Sequence, residues 1–279
     1  MSGWPKELEL DVPSKPSSDI PAGERYTLPD SGILEAEGFD PRTFESSDPK
    51  LDAFILMLAQ IYNDSKAIHW FAVQLQRAAY NRTDSPVDAY LGQIRGYETW
   101  TRKQLVALLH ELLQLVKDKE SRRVIDSDRF VTFMNRLPLS TQQRWWAVFN
   151  VATRAKKGTF PGELANYFER VRGNLAFHYY QPKSLLNGYK HHFRQGQDAP
   201  DDPVRQRAYA SLGDRLETTR FFFADAAAQA YMQDIVDPGA RIWNDTVTLV
   251  GEVNTLLFAV VREYLHMRAE ELLAEVART

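Results

Sequence analysis

The 279-residue sequence predicts an all-α protein, a multi-helix bundle with an irregular N-terminal arm. Three observations carry that prediction. Apolar residues recur at three- and four-residue steps over long windows, capping and stop signals punctuate those windows, and no alternating apolar–polar stretch reads as a strand. With 44% hydrophobic, 12% aromatic and 25% charged residues, the composition is that of a folded globular chain and excludes disorder throughout. A chain of this size buries roughly three quarters of its unfolded surface, so its core needs no disulfide or metal staple.

Residues 1–47 are rich in Pro, Ser, Gly and acid, as in VPSKPSSDIPAG and LPDSG, and sustain no apolar period. They read as an irregular arm. From Asp48 a cap-like SSDPK leads into Leu51, Phe54, Ile55, Leu58, Ile61 and Tyr62, which predicts a helix to about residue 80. The turn signal TDSP, with Ser85 before Pro86, precedes a second amphipathic stretch over about 87–119 that ends in KDKES. Shorter helices are expected at about 125–136, 140–156 and 161–180, the last two introduced by PLST and FPGE. RQGQDAPDDP (194–203) reads as a surface loop. A helix over about 204–235, the stop DPG at 237–239, and a final helix over about 240–276 complete the chain. That last helix carries Ile242, Val247, Val250, Val253, Leu257, Val260 and Leu265. No repeat of fixed length occurs, so residues 48–279 are expected to form a single helical domain.

Zero cysteines remove thiolate catalysis, Cys-ligated zinc and iron–sulfur clusters. The apolar run Leu256 to Val261 is far shorter than the roughly 18 residues a membrane span requires, so no membrane partner is expected. MSGWPKELEL has no apolar leader region, and a cytoplasmic location is the expectation. The net charge of −3 hides an asymmetry: residues 1–50 carry 5 Lys/Arg against 11 Asp/Glu, a net of −6, and residues 154–194 carry 8 against 2, a net of +6. The basic segment is either a solvated helix face with a loop or an anion-binding surface. The acidic arm is correspondingly a solvated tail or a mask over that surface.

Several chemistries lack their residues. There is no Gly-rich phosphate loop, GxSxG elbow or HExxH. One ExxH occurs, Glu263 to His266, whereas di-iron bundles use two with further glutamates; it is read as a surface pair, and neither metal nor cofactor is expected. His69 and His110 are expected to be partly buried, hydrogen-bonded side chains. His191 and His192 are adjacent and face different directions on a helix, which argues against a shared site.

The segment GELANYFERVRGNLAFHYY (162–180) differs. At about 100° per residue from Leu164, Phe168, Val171 and Leu175 define an apolar stripe centred near 10°, with His178 near 320°, Asn174 near 280°, Tyr179 near 60° and Arg172 near 80°. A histidine, an arginine, an amide and a phenol thus ring one inward-facing side. An arginine there demands a partner or a cleft, since an unpaired buried charge is too costly. Its partner is either a carboxylate from another helix, with His178 hydrogen-bonded in the core, or a ligand.

Arg172-Gly-Asn-Leu-Ala-Phe-His178, followed by Tyr179 and Tyr180, resembles the R-x(4–6)-H signature of the HEPN superfamily, here spaced R-x5-H. The wording is similar to that of abortive-infection-like HEPN proteins, with Gly173 where a polar residue usually follows the arginine and Asn174 one place later. The wider resemblance spans roughly residues 48–195, leaving 204–276 as additional helices packing on that core. It implies an up-down helical core and a metal-independent endoribonuclease, a toxin or phage-defence effector, that uses the 2′-hydroxyl of single-stranded RNA as nucleophile. His178 is then the general acid–base, and Arg172 holds the scissile phosphate. Asn174 orients the histidine or donates to a phosphate oxygen, Tyr179 or Tyr180 stacks on a base, and Arg170, Lys156 and Lys157 contribute to the RNA surface. The resemblance also implies a homodimer with its groove between two protomers, and leaves room for an antitoxin or regulatory partner. The alternative is a non-catalytic helical binding module for a nucleotide, RNA or protein, with Arg172 and His178 structural and aromatics such as Trp145, Trp146 and Phe221 to Phe223 filling a large core.

Overall fold

Helix periodicity and caps translate into nine helices among the described residues of a computed structural model, which are 39–80, 89–154, 160–176, 182–198, 208–210, 212 and 219–277. They are α1 (Pro49–Tyr80), α2 (Ala89–Lys117), α3 (Lys119–Ile125), α4 (Asp128–Met134), α5 (Leu139–Arg154), α6 (Phe160–Val171), α7 (Pro182–Asp198), α8 (Phe222–Ala230) and α9 (Arg241–Val276). A 3-10 turn spans Pro41–Phe44, and π-helical segments follow α6 (Arg172–Ala176) and α8 (Tyr231–Val236). No β-strand occurs among the described residues. The expected all-α bundle is the observed one.

The stripe expected on α1 is the one it buries. Leu51, Phe54, Ile55 and Leu58 are fully enclosed and Ile61 and Tyr62 half-buried, where α1 packs against both α2 and α9. α2 also meets α5, α6 and α8 and so runs through the centre. Phe54, Phe130 and Trp145 form an aromatic knot with ring centroids 5.3–6.1 Å apart, a favourable edge-on or tilted arrangement. Val250, Val253, Leu257 and Val260 of α9 belong to the same core. Of the aromatics expected to fill it, Trp145 does so, whereas Trp146 and Phe221 are exposed; neighbours in a helix face different ways.

The end of the arm is not irregular. Residues 1–38 lie outside the described residues, and with them most of the acidic segment, but residues 39–48 are docked. Asp52, buried on α1, accepts hydrogen bonds from the Ser46 backbone N–H (2.8 Å), the Ser46 hydroxyl (2.7 Å) and the Tyr264 hydroxyl of α9. Arg268 of α9, equally buried, donates its Nε–H to the Thr43 carbonyl at 3.0 Å and pairs with Glu271. A buried carboxylate and a buried guanidinium, each saturated by local partners, thus fasten residues 41–47 to the bundle.

Three other expectations are corrected. The helix expected at about 125–136 is the shorter α4, and an unexpected helix, α3, precedes it over Lys119–Ile125; each is opened by its own capping side chain, Ser127 and Asp118. Residues 194–198 of the loop expected at 194–203 belong to α7, which continues to Asp198, and the rest of that loop lies outside the described residues. The helix expected over 204–235 is interrupted: residues 208–210 and 219–221 are not helical, and α8 starts only at Phe222. Thr219 and Phe221, in the described interruption just before α8, are weak helix formers. The DPG stop falls as expected, with Gly239 and Ala240 at positive φ of 80° and 55° and the Asp237 carboxylate accepting from the Ile242 and Trp243 N–H groups that open α9.

Gly188 explains both why α7 is hard to read and why it packs. A mid-helix glycine lowers helix propensity, yet a Cβ here would overlap the carbonyl oxygen of Ala227 in α8. Gly188→Ala is expected to force α7 and α8 apart and to destabilise the protein by about 1–3 kcal/mol, read as a lowered urea midpoint; an unchanged midpoint would show that the two helices do not approach so closely.

Burial pushes the phenols of Tyr167 and Tyr264 well above the ordinary value of 10.0, with Asp52 adding to the shift at Tyr264. The folded state therefore retains protons above pH 10 that the unfolded chain releases, so the stabilisation is complete below pH 10 and is lost as pH rises beyond it. The urea midpoint should fall steadily above pH 10, and Tyr167→Phe should flatten that fall. A pH-independent midpoint between pH 9 and 11 would contradict both assignments.

Candidate functional site

The apolar stripe singled out in residues 162–180 is real over its first part. Leu164, Phe168, Val171 and Leu175 are all buried, and Tyr167 joins them at about 300°, widening the stripe. At Arg172 the helix opens into the π turn Arg172–Ala176. The constant 100° step ends there, although Leu175 within the turn is still buried. π turns inside helical segments recur at functional sites, and this one begins on the arginine of the motif. His178, Tyr179 and Tyr180 lie outside the described residues, as do Lys156 and Lys157.

Polar contacts tie the π turn to other elements. Arg172 Nη2 lies 3.1 Å from Glu111 Oε1 on α2, with one third of the arginine side chain and half of the glutamate exposed. The Asn174 amide donates to the Tyr231 hydroxyl at 2.8 Å, joining the two π segments. The guanidinium is therefore neither locked in the core nor adrift. It is held at the surface by a solvated carboxylate, a pairing worth about 1 kcal/mol or less. Glu111 borders an open hollow of about 640 Å³ with Gln114 and Lys117. A more polar cleft of about 530 Å³ lies between α2, α5 and α6, lined by His110, Gln114, Lys117, Asn166 and Glu169 among others. Arg170 is half-buried on α6.

The basic segment resolves into a surface track. On α7, Lys183, Asn187, Lys190 and Arg194 are exposed and fall within about 60° of one another at helical spacing. Gly188, on the opposite side, meets α8, and α7 also packs against the Arg172–Ala176 turn. The exposed face thus presents three cations along one line beside the motif. His191 Nε2 points elsewhere, 3.6 Å from Asp234, so the adjacent histidines diverge as expected.

Glu263 accepts from Arg136 at 2.7 Å, and His266 is exposed. The partner of Glu263 is thus Arg136, not His266; no group of three or more metal-binding side chains occurs among the described residues. His69 is half-buried, which lowers its pKa, and His110 lies 3.3 Å from the Gln114 amide. Among the described residues no helix is long and apolar enough to cross a membrane. No family model, curated protein or solved structure matches the chain.

Sequence reasoning missed the π turn, the Glu111 partner and the α7 track. The first two leave no periodic signal. The third does, in the seven- and four-residue spacing of Lys183, Lys190 and Arg194, once a helix is assigned to them.

Proposed function

We propose that the protein is a metal-independent endoribonuclease of the HEPN kind acting on single-stranded RNA, a toxin or phage-defence effector. The observation that carries the reading is the placement of Arg172: it opens a π turn, is partly exposed, and is held by a displaceable surface carboxylate beside a helix with a basic face. An RNA phosphate replaces Glu111 as the partner of the guanidinium, gaining bidentate, charge-assisted hydrogen bonds. The substrate 2′-hydroxyl attacks phosphorus, the bond from phosphorus to the 5′-oxygen breaks, and a 2′,3′-cyclic phosphate and a 5′-hydroxyl result. His178 exchanges the proton in that step, and Arg172 stabilises the charge that builds on the phosphoryl oxygens. Lys183, Lys190 and Arg194 guide the flanking strand. A homodimer that brings two motifs to one groove belongs to this proposal, as does an inhibitory protein partner.

The second reading, a non-catalytic binding module, is favoured by the ties that Arg172 and Asn174 make to other elements. Salt dependence of RNA binding tests the RNA surface that the catalytic reading needs. Neutralising Lys183, Lys190 and Arg194 together with glutamine should weaken binding to single-stranded RNA and reduce the slope of log K against log salt by about 2. Undetectable RNA affinity of the unaltered protein at low salt would remove the ribonuclease reading.

A further inference from the structure

A separate cavity of about 420 Å³ opens between α2, the Arg172–Ala176 turn, α7 and α8, within the size range of small-molecule sites, about 300–1,000 Å³. Its described walls are apolar, with Leu175, Leu185, Leu186 and Phe223 prominent beside alanines of α8. Four side chains with polar atoms interrupt them: Lys103, Asn174, Tyr189 and Asp225.

Their charges do not balance. Both carboxylate oxygens of Asp225 are engaged by Arg220, at 2.8 Å and 3.3 Å, and that guanidinium lies 4.6 Å from the centre of the Tyr97 ring. The carboxylate at the cavity wall is thus already matched by one cation, and the Lys103 ammonium is a second. One Asn174 amide hydrogen is donated to the Tyr231 hydroxyl. Burial pushes the Lys103 ammonium below the ordinary lysine value, Asp225 acts against that shift, and Arg220 reinforces it. A cation stripped of water in an apolar hollow is most stable when an anion joins it there.

We propose that this cavity is a binding site for a small monocarboxylate with an apolar body, a medium-chain acyl acid, whose carboxylate pairs with Lys103 while its chain lies against Leu175, Leu185 and Phe223. The cavity volume supplies room for the chain, and the excess positive charge at one wall selects the head. The inference does not depend on RNA cleavage.

Isothermal titration of the full-length protein with octanoate and with 1-octanol tests it. Octanoate should bind at least about tenfold more tightly than octanol, the margin expected of a charge-assisted contact. Lys103→Met, which keeps the apolar stem, should lose that margin while binding octanol within about twofold of the unaltered protein. Ala224→Phe, which fills the cavity, should weaken both ligands, with circular dichroism showing both variants folded. Absence of octanoate binding at about 5 mM, equal affinity for the acid and the alcohol, or an unchanged octanoate affinity in Lys103→Met would each overturn the proposal. The comparison of acid with alcohol on the unaltered protein decides the matter even where a variant fails to fold.

Discussion

Alanine at His178 is expected to lower the rate of RNA cleavage by about 10²–10⁴-fold, the usual worth of a positioned general acid–base group, while the protein still melts cooperatively. Arg172→Ala should lower it by about 10²–10³-fold, as loss of one preorganised charge-stabilising donor does. The two changes differ in how cleanly they separate chemistry from stability. The Arg172 to Glu111 pair is one-third exposed at the arginine and half exposed at the glutamate and contributes about 1 kcal/mol at most, so losing that pair alone should shift the melting temperature by only a few degrees. Lysine at 172 keeps the charge but not the planar fork, and it should recover binding more fully than rate. Single-turnover kinetics beside thermal melts read all three variants. Full activity in Arg172→Ala, or destabilisation of several kcal/mol with no activity to lose in either protein, would place the motif in the architecture instead of the chemistry.

Asp52→Ala is expected to have the largest effect on stability. Three donors converge on this one carboxylate, from the Ser46 backbone, the Ser46 hydroxyl and Tyr264, and both Asp52 and Tyr264 are buried. Removal strands the Tyr264 hydroxyl in the core and releases residues 41–47 from α1, for a loss of about 3–4 kcal/mol. In a domain of this size that lowers the melting temperature by about 6–16 °C. Asp52→Asn preserves the shape and one acceptor and should cost roughly half as much. A drop under about 1 kcal/mol in Asp52→Ala would mean that the Ser46 turn is not fastened through this residue.

How far the fold could be read tracks the strength of the local signal. α1 and α9 carry unbroken apolar periods from Leu51 and from Ile242, and both lie where that period puts them. α7 was obscured by Gly188, whose missing side chain is what permits contact with α8. The long helix expected over 204–235 is interrupted at residues 219–221, where Thr219 and Phe221 have low helix propensity and no local signal marks the break. At the candidate site, the buried stripe Leu164, Phe168, Val171 and Leu175 was legible from spacing alone. The π turn was not, since winding is set by tertiary contacts such as Arg172 to Glu111 and Asn174 to Tyr231. Glu111 lies 61 positions before its partner, and no pattern within one helix announces a pairing across two. Asp52 likewise reads as an ordinary first-turn acid, and only the approach of Tyr264 from the other end of the chain makes it a keystone.

Cleavage of end-labelled single-stranded RNA in excess EDTA, compared with the same strand carrying 2′-deoxyribose at the cut position, tests the central claim most directly. The ribose strand should be cut to 2′,3′-cyclic phosphate ends, the deoxy strand should stay intact, and His178→Ala and Arg172→Ala should cut at least about a hundredfold more slowly. Cutting of the deoxy strand, a requirement for divalent metal, or no cutting across RNAs of varied sequence would contradict it.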